Sequence, residues 1–193
     1  MADKHSILRI LLLTAGAVVA FSAADAGAAG ANSLRLQSAT VAANSTLSND
    51  QVYSGFGCSG RNISPALKWT GAPSGTKSFA ITLYDPDAPT GSGWWHWVVY
   101  NIPATVTELA EGAGSPGGKL PPGAIQGHTD FGTSGFGGAC PPAGDKAHRY
   151  IFTIYALKTE KISAPDDASA AMIGYMIHAN ALAKASLTAR YGR

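Results

Sequence analysis

Two short stretches concentrate the groups that could do chemistry. The first reads Tyr84-Asp85-Pro86-Asp87-Ala88-Pro89, then Trp94-Trp95-His96-Trp97. Two carboxylates stand on a backbone that prolines restrict, and a histidine between indoles follows. A carboxylate beside an imidazole favours the protonated ring, and a cationic ring among neutral donors makes an anion site. His96 can face Asp85 or Asp87 if the flanking strands are neighbours. Otherwise the stretch is a proline turn with surface carboxylates and an aromatic core. The second stretch is Gly137-Gly138-Ala139-Cys140-Pro141-Pro142-Ala143-Gly144, then His148-Arg149-Tyr150. A loop of glycine and proline lets backbone come close to a ligand. His148 and Tyr150, two apart at the entry of a strand, share one face. Arg149 points the other way and suits an ion pair.

The same groups admit other chemistry. Asp85 or Asp87 as base with His96 or His148 as acid would serve a hydrolase, but no nucleophile stands beside a base. Carboxylate and imidazole together also suit zinc or manganese. Asp130-Phe131-Gly132 spells the metal-binding tripeptide of kinases without any other kinase element, and reads as a turn in a long loop. No P-loop and no G-x-S-x-G occurs. The expectation is no bound cofactor and no metal, with a metal site in the Asp/His cluster as an alternative.

These groups need strands to hold them. Runs rich in β-branched and aromatic residues cover 34–41, 79–84, 97–102 and 150–157. The run Trp97-Val98-Val99-Tyr100-Asn101-Ile102 is almost continuously apolar, as in a strand buried on both faces. Residues 111–147 are rich in glycine and proline and show no period, which predicts a long functional or tightly packed loop. After Asp166-Asp167-Ala168-Ser169, apolar residues recur at three- and four-residue steps from Met172 to Leu187. That spacing predicts one amphipathic helix ending near Arg190, with His178 as a packing residue on it. Strands followed by a terminal helix imply a β-sandwich or an α+β domain.

Composition narrows the function classes. The chain of 193 residues is 46% hydrophobic and 13% charged, against about 25% charged in an ordinary globular chain. Disorder needs the reverse balance. A net charge of +2 without any cationic run argues against nucleic acid as a partner. Lys4 and Arg9 precede the apolar stretch 10–24, and small residues follow at Ala24-Asp25-Ala26 and Ala26-Gly27-Ala28. This is the pattern of a secretory signal over 1–26. The stretch is shorter than the ~20 residues of a membrane span. The expectation is therefore a periplasmic or secreted domain over 27–193, with no stable membrane insertion after signal removal. In an oxidising compartment Cys58 and Cys140 pair; the alternative is two separate buried thiols.

The two polar stretches together resemble the phosphatidylethanolamine-binding protein (PEBP) family. The resemblance rests on Asp85-Pro86-Asp87-Ala88-Pro89, Trp95-His96-Trp97, Pro141-Pro142-x-Gly144 and His148-Arg149-Tyr150, in that order. The segment Asn62-Ile63-Ser64-Pro65-Ala66-Leu67-Lys68-Trp69 is similar to the bacterial, Raf-kinase-inhibitor-like branch. The resemblance implies a mostly β fold, a two-sheet antiparallel β-sandwich with a C-terminal α-helix. It also implies a small pocket for phosphate-like anions. Carried over by position, Asp85, Asp87 and His96 match the first motif's pocket groups, and Pro142, His148 and Tyr150 match the second's. Cys140 stands where other members carry a glycine. Eukaryotic members have a longer insertion where this chain has Thr90-Gly91-Ser92-Gly93, so lipid-headgroup selectivity and kinase inhibition do not carry over with the motif. The expected function is binding of a small anionic or phosphorylated ligand, with modulation of a protein partner as its outcome. A hydrolase and a protease or kinase inhibitor are the alternatives. All five polar residues (Asp85, Asp87, His96, His148 and Tyr150) are expected in one pocket, with the carboxylates keeping the imidazoles basic.

Overall fold

The computed structural model describes residues 33–193, so the secretory signal expected over 1–26 lies outside the described residues. The strands in chain order are β1 (Arg35–Gln37), β2 (Ser54–Gly55), β3 (Cys58–Ser59), β4 (Leu67–Thr70) and β5 (Ser78–Asp85). Then come β6 (Trp94–Pro103), β7 (Glu108–Leu109), β8 (Ile125–Gln126), β9 (His148–Leu157), helix α1 (Ala170–Asn180) and β10 (Ala181–Tyr191). A five-stranded sheet has the order β10-β9-β5-β6-β8, a three-stranded sheet the order β1-β4-β7, and β2-β3 is a separate hairpin. Every pair within these sheets is antiparallel.

The apolar runs of β5, β6 and β9 make the middle of the larger sheet, and its two faces bury different residues. Ile81, Leu83, Trp97, Val99, Phe152 and Ile154 meet Leu67, Trp69 and Leu109 of the smaller sheet, which is the sandwich core. Ala80, Val98, Tyr100, Tyr155 and Leu157 pack on the other side against Ile173 and Ile177 of α1. Strands covered on both faces cannot alternate apolar with polar, hence the continuous run at 97–102. The long loop holds only the two-residue β8, as its lack of period predicts.

The helix is shorter than its spacing predicts. It starts at the Ser169 cap, whose hydroxyl accepts from the Met172 amide, and ends at Asn180. From Ala181 on, the expected helix region is instead strand β10, which runs to Tyr191 and pairs along the whole of β9 from Ala181↔Leu157 to Tyr191↔His148. Ala183, Ala185, Leu187 and Ala189 face the sandwich core, and Lys184, Ser186, Thr188 and Arg190 alternate with them. Alanine, the best helix former, fits both periods. The free edge of β9 decides between them, because only a strand satisfies its amides and carbonyls.

Cys58 and Cys140 are joined in a disulfide, with their Cα atoms 6.0 Å apart. The bond ties the β2–β3 hairpin to the Gly-Pro loop.

Candidate functional site

The candidate site lies at one end of the sandwich, where β5, β6 and β9 present polar residues at the edge of the core. Residues two apart on a strand share a face. Asp85 therefore follows Ile81 and Leu83 on the core side, and His148 and Tyr150 precede Phe152 on the same side. His96 reaches that face by a different route. Leu83 pairs with Trp97 but Tyr84 pairs with Trp95, so His96 is the extra residue of a β-bulge. Bulges re-aim side chains. Here Trp95 packs toward the helix side, Trp97 packs in the sandwich core, and His96 turns to the cavity.

Asp85 and His148 are both buried and directly bonded. His148 Nδ1 donates to Asp85 Oδ2 at 2.8 Å, and Asp85 Oδ1 accepts the Asp87 amide at 2.8 Å. The ring of His148 also has Nε2 3.5 Å from Asp145 Oδ2. Asp85 thus holds His148, not His96. The His96 ring stands edge-on to Tyr150, with centroids 5.2 Å apart, and edge-on to Phe131 at 5.3 Å. Its Nδ1 lies 2.9 Å from the Gly137 carbonyl and 3.1 Å from that of Gly138.

Two expectations are corrected by this arrangement. The carboxylates do not keep His96 basic: burial pushes its pKa down to about 4, outweighing the carbonyls and the charges of Asp85 and Asp130. Asp87 does not reach the cavity. Both its oxygens are taken by Arg149, with Nη2 at 2.6 Å from Oδ1 and Nε and the backbone amide at 2.8 Å from Oδ2. Those hydrogen bonds lower its pKa to about 2. Arg149 is the ion-pair partner that its outward position predicts.

Asp85, His96, Pro142, His148 and Tyr150 line a cavity of about 200 Å³. The Tyr150 hydroxyl is buried beside the Cys140 backbone but makes no hydrogen bond of good geometry in the protein. Burial, then the nearby Asp85 charge, raises its pKa, so the phenol is neutral. Its only role toward a ligand is as a neutral donor or acceptor. Thr90 also lines the cavity, but its hydroxyl donates to the Gly93 carbonyl. Cys140 lines it as half of the disulfide. Neither the Thr90 hydroxyl nor a cysteine thiol is therefore free to act beside an imidazole. Among the described residues no cluster of three or more His, Cys, Asp or Glu is arranged to hold a metal ion.

Sequence reasoning missed the rim and the brace. Phe56, Trp94 and Phe131 form an aromatic mouth with Pro141. Phe56 is 67% exposed and stacks on Phe131 with centroids 5.8 Å apart. It sits at φ 53, a left-handed conformation that bulky residues avoid. Phe131 comes from the Asp130-Phe131-Gly132 turn, whose Asp130 accepts the Trp95 amide at 2.8 Å. The brace is Asn62, also left-handed at φ 54. Its Oδ1 accepts the Gly138 amide at 2.7 Å and its Nδ2 donates to the Phe136 carbonyl at 3.2 Å. Asn62 so fixes the loop whose carbonyls hold His96. Glycine is required in that loop: a Cβ on Gly138 would collide with the backbone of Gln51 and Val52, and one on Gly137 with the Phe131 ring. An Asn before Ile-Ser-Pro is a usable signal for a left-handed turn, but nothing local says which loop it grips.

Known proteins are similar to this chain in sequence and in frame. A family model described as phosphatidylethanolamine-binding protein matches residues 37–192. The UPF0098 protein YbcL of Escherichia coli K12 is 54% identical over 183 residues, covering 94% of this chain and 97% of that protein. YbhB of the same organism is 52% identical over 145 residues, 75% of this chain and 91% of its own. The crystal structure of YbcL, described as a new member of the mammalian PEBP family, matches at TM-score 0.81 and 56% identity. It covers 83% of this chain and 98% of its own. A putative PEBP homolog, CT736 of Chlamydia trachomatis, matches at TM-score 0.69 and 28% identity, covering 84% of this chain and 99% of its own. With the family model spanning nearly all of the described residues, this chain belongs to the phosphatidylethanolamine-binding protein family.

Proposed function

We propose that this chain is a binding protein that takes a small anionic or phosphorylated group in the cavity between Asp85, His96, His148 and Tyr150, with Pro142 in its wall. The observation that carries the reading is one cavity lined by two buried imidazoles and the neutral Tyr150 phenol, whose hydroxyl has no protein partner. A buried polar group without a partner costs about 1–3 kcal/mol, which a ligand bonded to it would recover. The cavity, at about 200 Å³, is smaller than the roughly 300–1,000 Å³ of drug-sized sites. It suits inorganic phosphate or the phosphate end of a headgroup. The Thr90 hydroxyl and both cysteine sulfurs are engaged, so the serine- or cysteine-type attack of a hydrolase has no support at these imidazoles. The disulfide supports work in an oxidising compartment, periplasmic or secreted, and modulation of a protein partner is the expected outcome of ligand binding.

Calorimetric titration with inorganic phosphate tests the reading, using Tyr150→Phe as the variant. The parent protein should bind. The variant should bind with a loss of about 1.5–3 kcal/mol, the size of a hydrogen bond to a charged group. Its unfolding free energy should be unchanged or higher, because no protein hydrogen bond is lost. Absence of phosphate binding by the parent would overturn the reading.

A further inference from the structure

The two carbonyls at His96 Nδ1 fix more than the position of the ring. A carbonyl oxygen only accepts, so a nitrogen 2.9 and 3.1 Å from two of them carries the hydrogen. The remaining nitrogen, Nε2, is then an acceptor whenever the ring is neutral. It has no protein partner, and it is absent from the group of sealed, unpartnered atoms to which Tyr150 Oη belongs. Nε2 is therefore open, and His96 lines the cavity shared with His148 and Tyr150. Burial of the ring keeps it neutral. The site thus presents a lone pair, not a positive charge, at this point. Asn62, through Gly138 and Phe136, holds the carbonyls that enforce the tautomer.

A lone pair in a buried site is unfavourable toward a bare oxyanion and favourable toward an O–H. We propose that His96 Nε2 makes the cavity selective for oxyanions that carry an O–H, such as hydrogen phosphate or the monoanion of a phosphomonoester, over fully deprotonated oxyanions such as sulfate. This rests on the anion-binding reading and names the ligand class of that site. His96 takes the acidic hydrogen and acts as a specificity-determining residue.

The experiment compares inorganic phosphate, methyl phosphate and sulfate by calorimetry at about pH 5.5 and about pH 8.5, either side of a phosphomonoester's second pKa of about 6. Inorganic phosphate keeps an O–H at both values, whereas methyl phosphate has one only at the lower. Titration of His148 or any other protein group acts on both ligands alike and cancels in the ratio of their affinities. That ratio should move about tenfold or more against methyl phosphate as pH rises, the worth of one hydrogen bond to a charged group. Sulfate should bind at least about tenfold more weakly than phosphate at the higher pH. His96→Asn, which keeps a donor at the Nδ1 position and has no Nε2, should flatten the ratio; the parent measurement decides the matter even if that variant does not fold. A ratio independent of pH, or sulfate binding as tightly as phosphate, would overturn the selectivity while leaving the anion site standing. No binding of phosphate at either pH would remove the anion site and the selectivity with it.

Discussion

Lowering the pH should destabilise this protein through His96, and the size follows from its burial. The ring titrates at 6.5 when unfolded and at about 4 in the fold. Between those values the unfolded chain binds a proton that the native state refuses, so stability falls as pH falls. At about 1.36 kcal/mol per unit, the difference amounts to about 3 kcal/mol at most. The groups facing the ring are Asp85 and Asp130, which favour its proton, and the neutral rings of Phe131 and Tyr150. Burial outweighs the two carboxylates. His96→Asn removes the titration and keeps a donor for the Gly137 and Gly138 carbonyls. Urea unfolding of both proteins, from about pH 7.5 to about pH 4.5, isolates the term as the change in their stability difference. The parent should lose about 3 kcal/mol relative to the variant, or a midpoint shift of roughly 1–3 M for a small protein. A difference that stays constant, or grows in the parent's favour in acid, would show a native ring that takes up its proton at least as readily as the unfolded one. The lone pair at Nε2 would then be lost in acid.

Two further outcomes are expected. Replacing both cysteines, Cys58→Ala with Cys140→Ala, should cost up to about 4.5 kcal/mol in chemical unfolding, the loop-closure value for a separation of 82 residues; equal stability would refute the constraint. Asp87 titrates at about 2 in the fold against 3.8 ordinarily, so its contribution is present above about pH 4 and lost as pH falls through 2. Arg149→Gln should return the Asp87 carboxyl toward 3.8 in an NMR titration with little loss of stability, since the pair lies at the surface and is screened by solvent. An unmoved Asp87 titration would sink that assignment.

Much of the frame was readable before the structure. The apolar runs of β5, β6 and β9 read as strands, the run of β6 as one buried on both faces, and spacing by two put His148 and Tyr150 together with Arg149 opposed. Strict alternation fails at His96, because a β-bulge adds one residue to β6 opposite Leu83 and Tyr84 and leaves no mark in hydrophobic period. The partner swap follows from that geometry: Asp85 is nearest His148 across β9, and His96 meets carbonyls of a loop distant in sequence. The alanines of β10 hid its strand period behind helix propensity. Asn62 and Phe131 act through contacts between loops, which no local pattern encodes.

The central place of β5 also governs how the chain can assemble. Its pairing with β6 closes a short loop, 86–93, and can form early. Its other edge pairs with β9 through Phe79↔Ala156, Ile81↔Ile154 and Leu83↔Phe152, across the whole long loop. Until that segment arrives, the β5–β6 ribbon carries an open row of amides flanked by apolar side chains, the edge on which other chains add. Closing it is a slow, non-local step. A chain cut short at 147 would keep both motif carboxylates and His96, yet would be a template for aggregation rather than half a binding site.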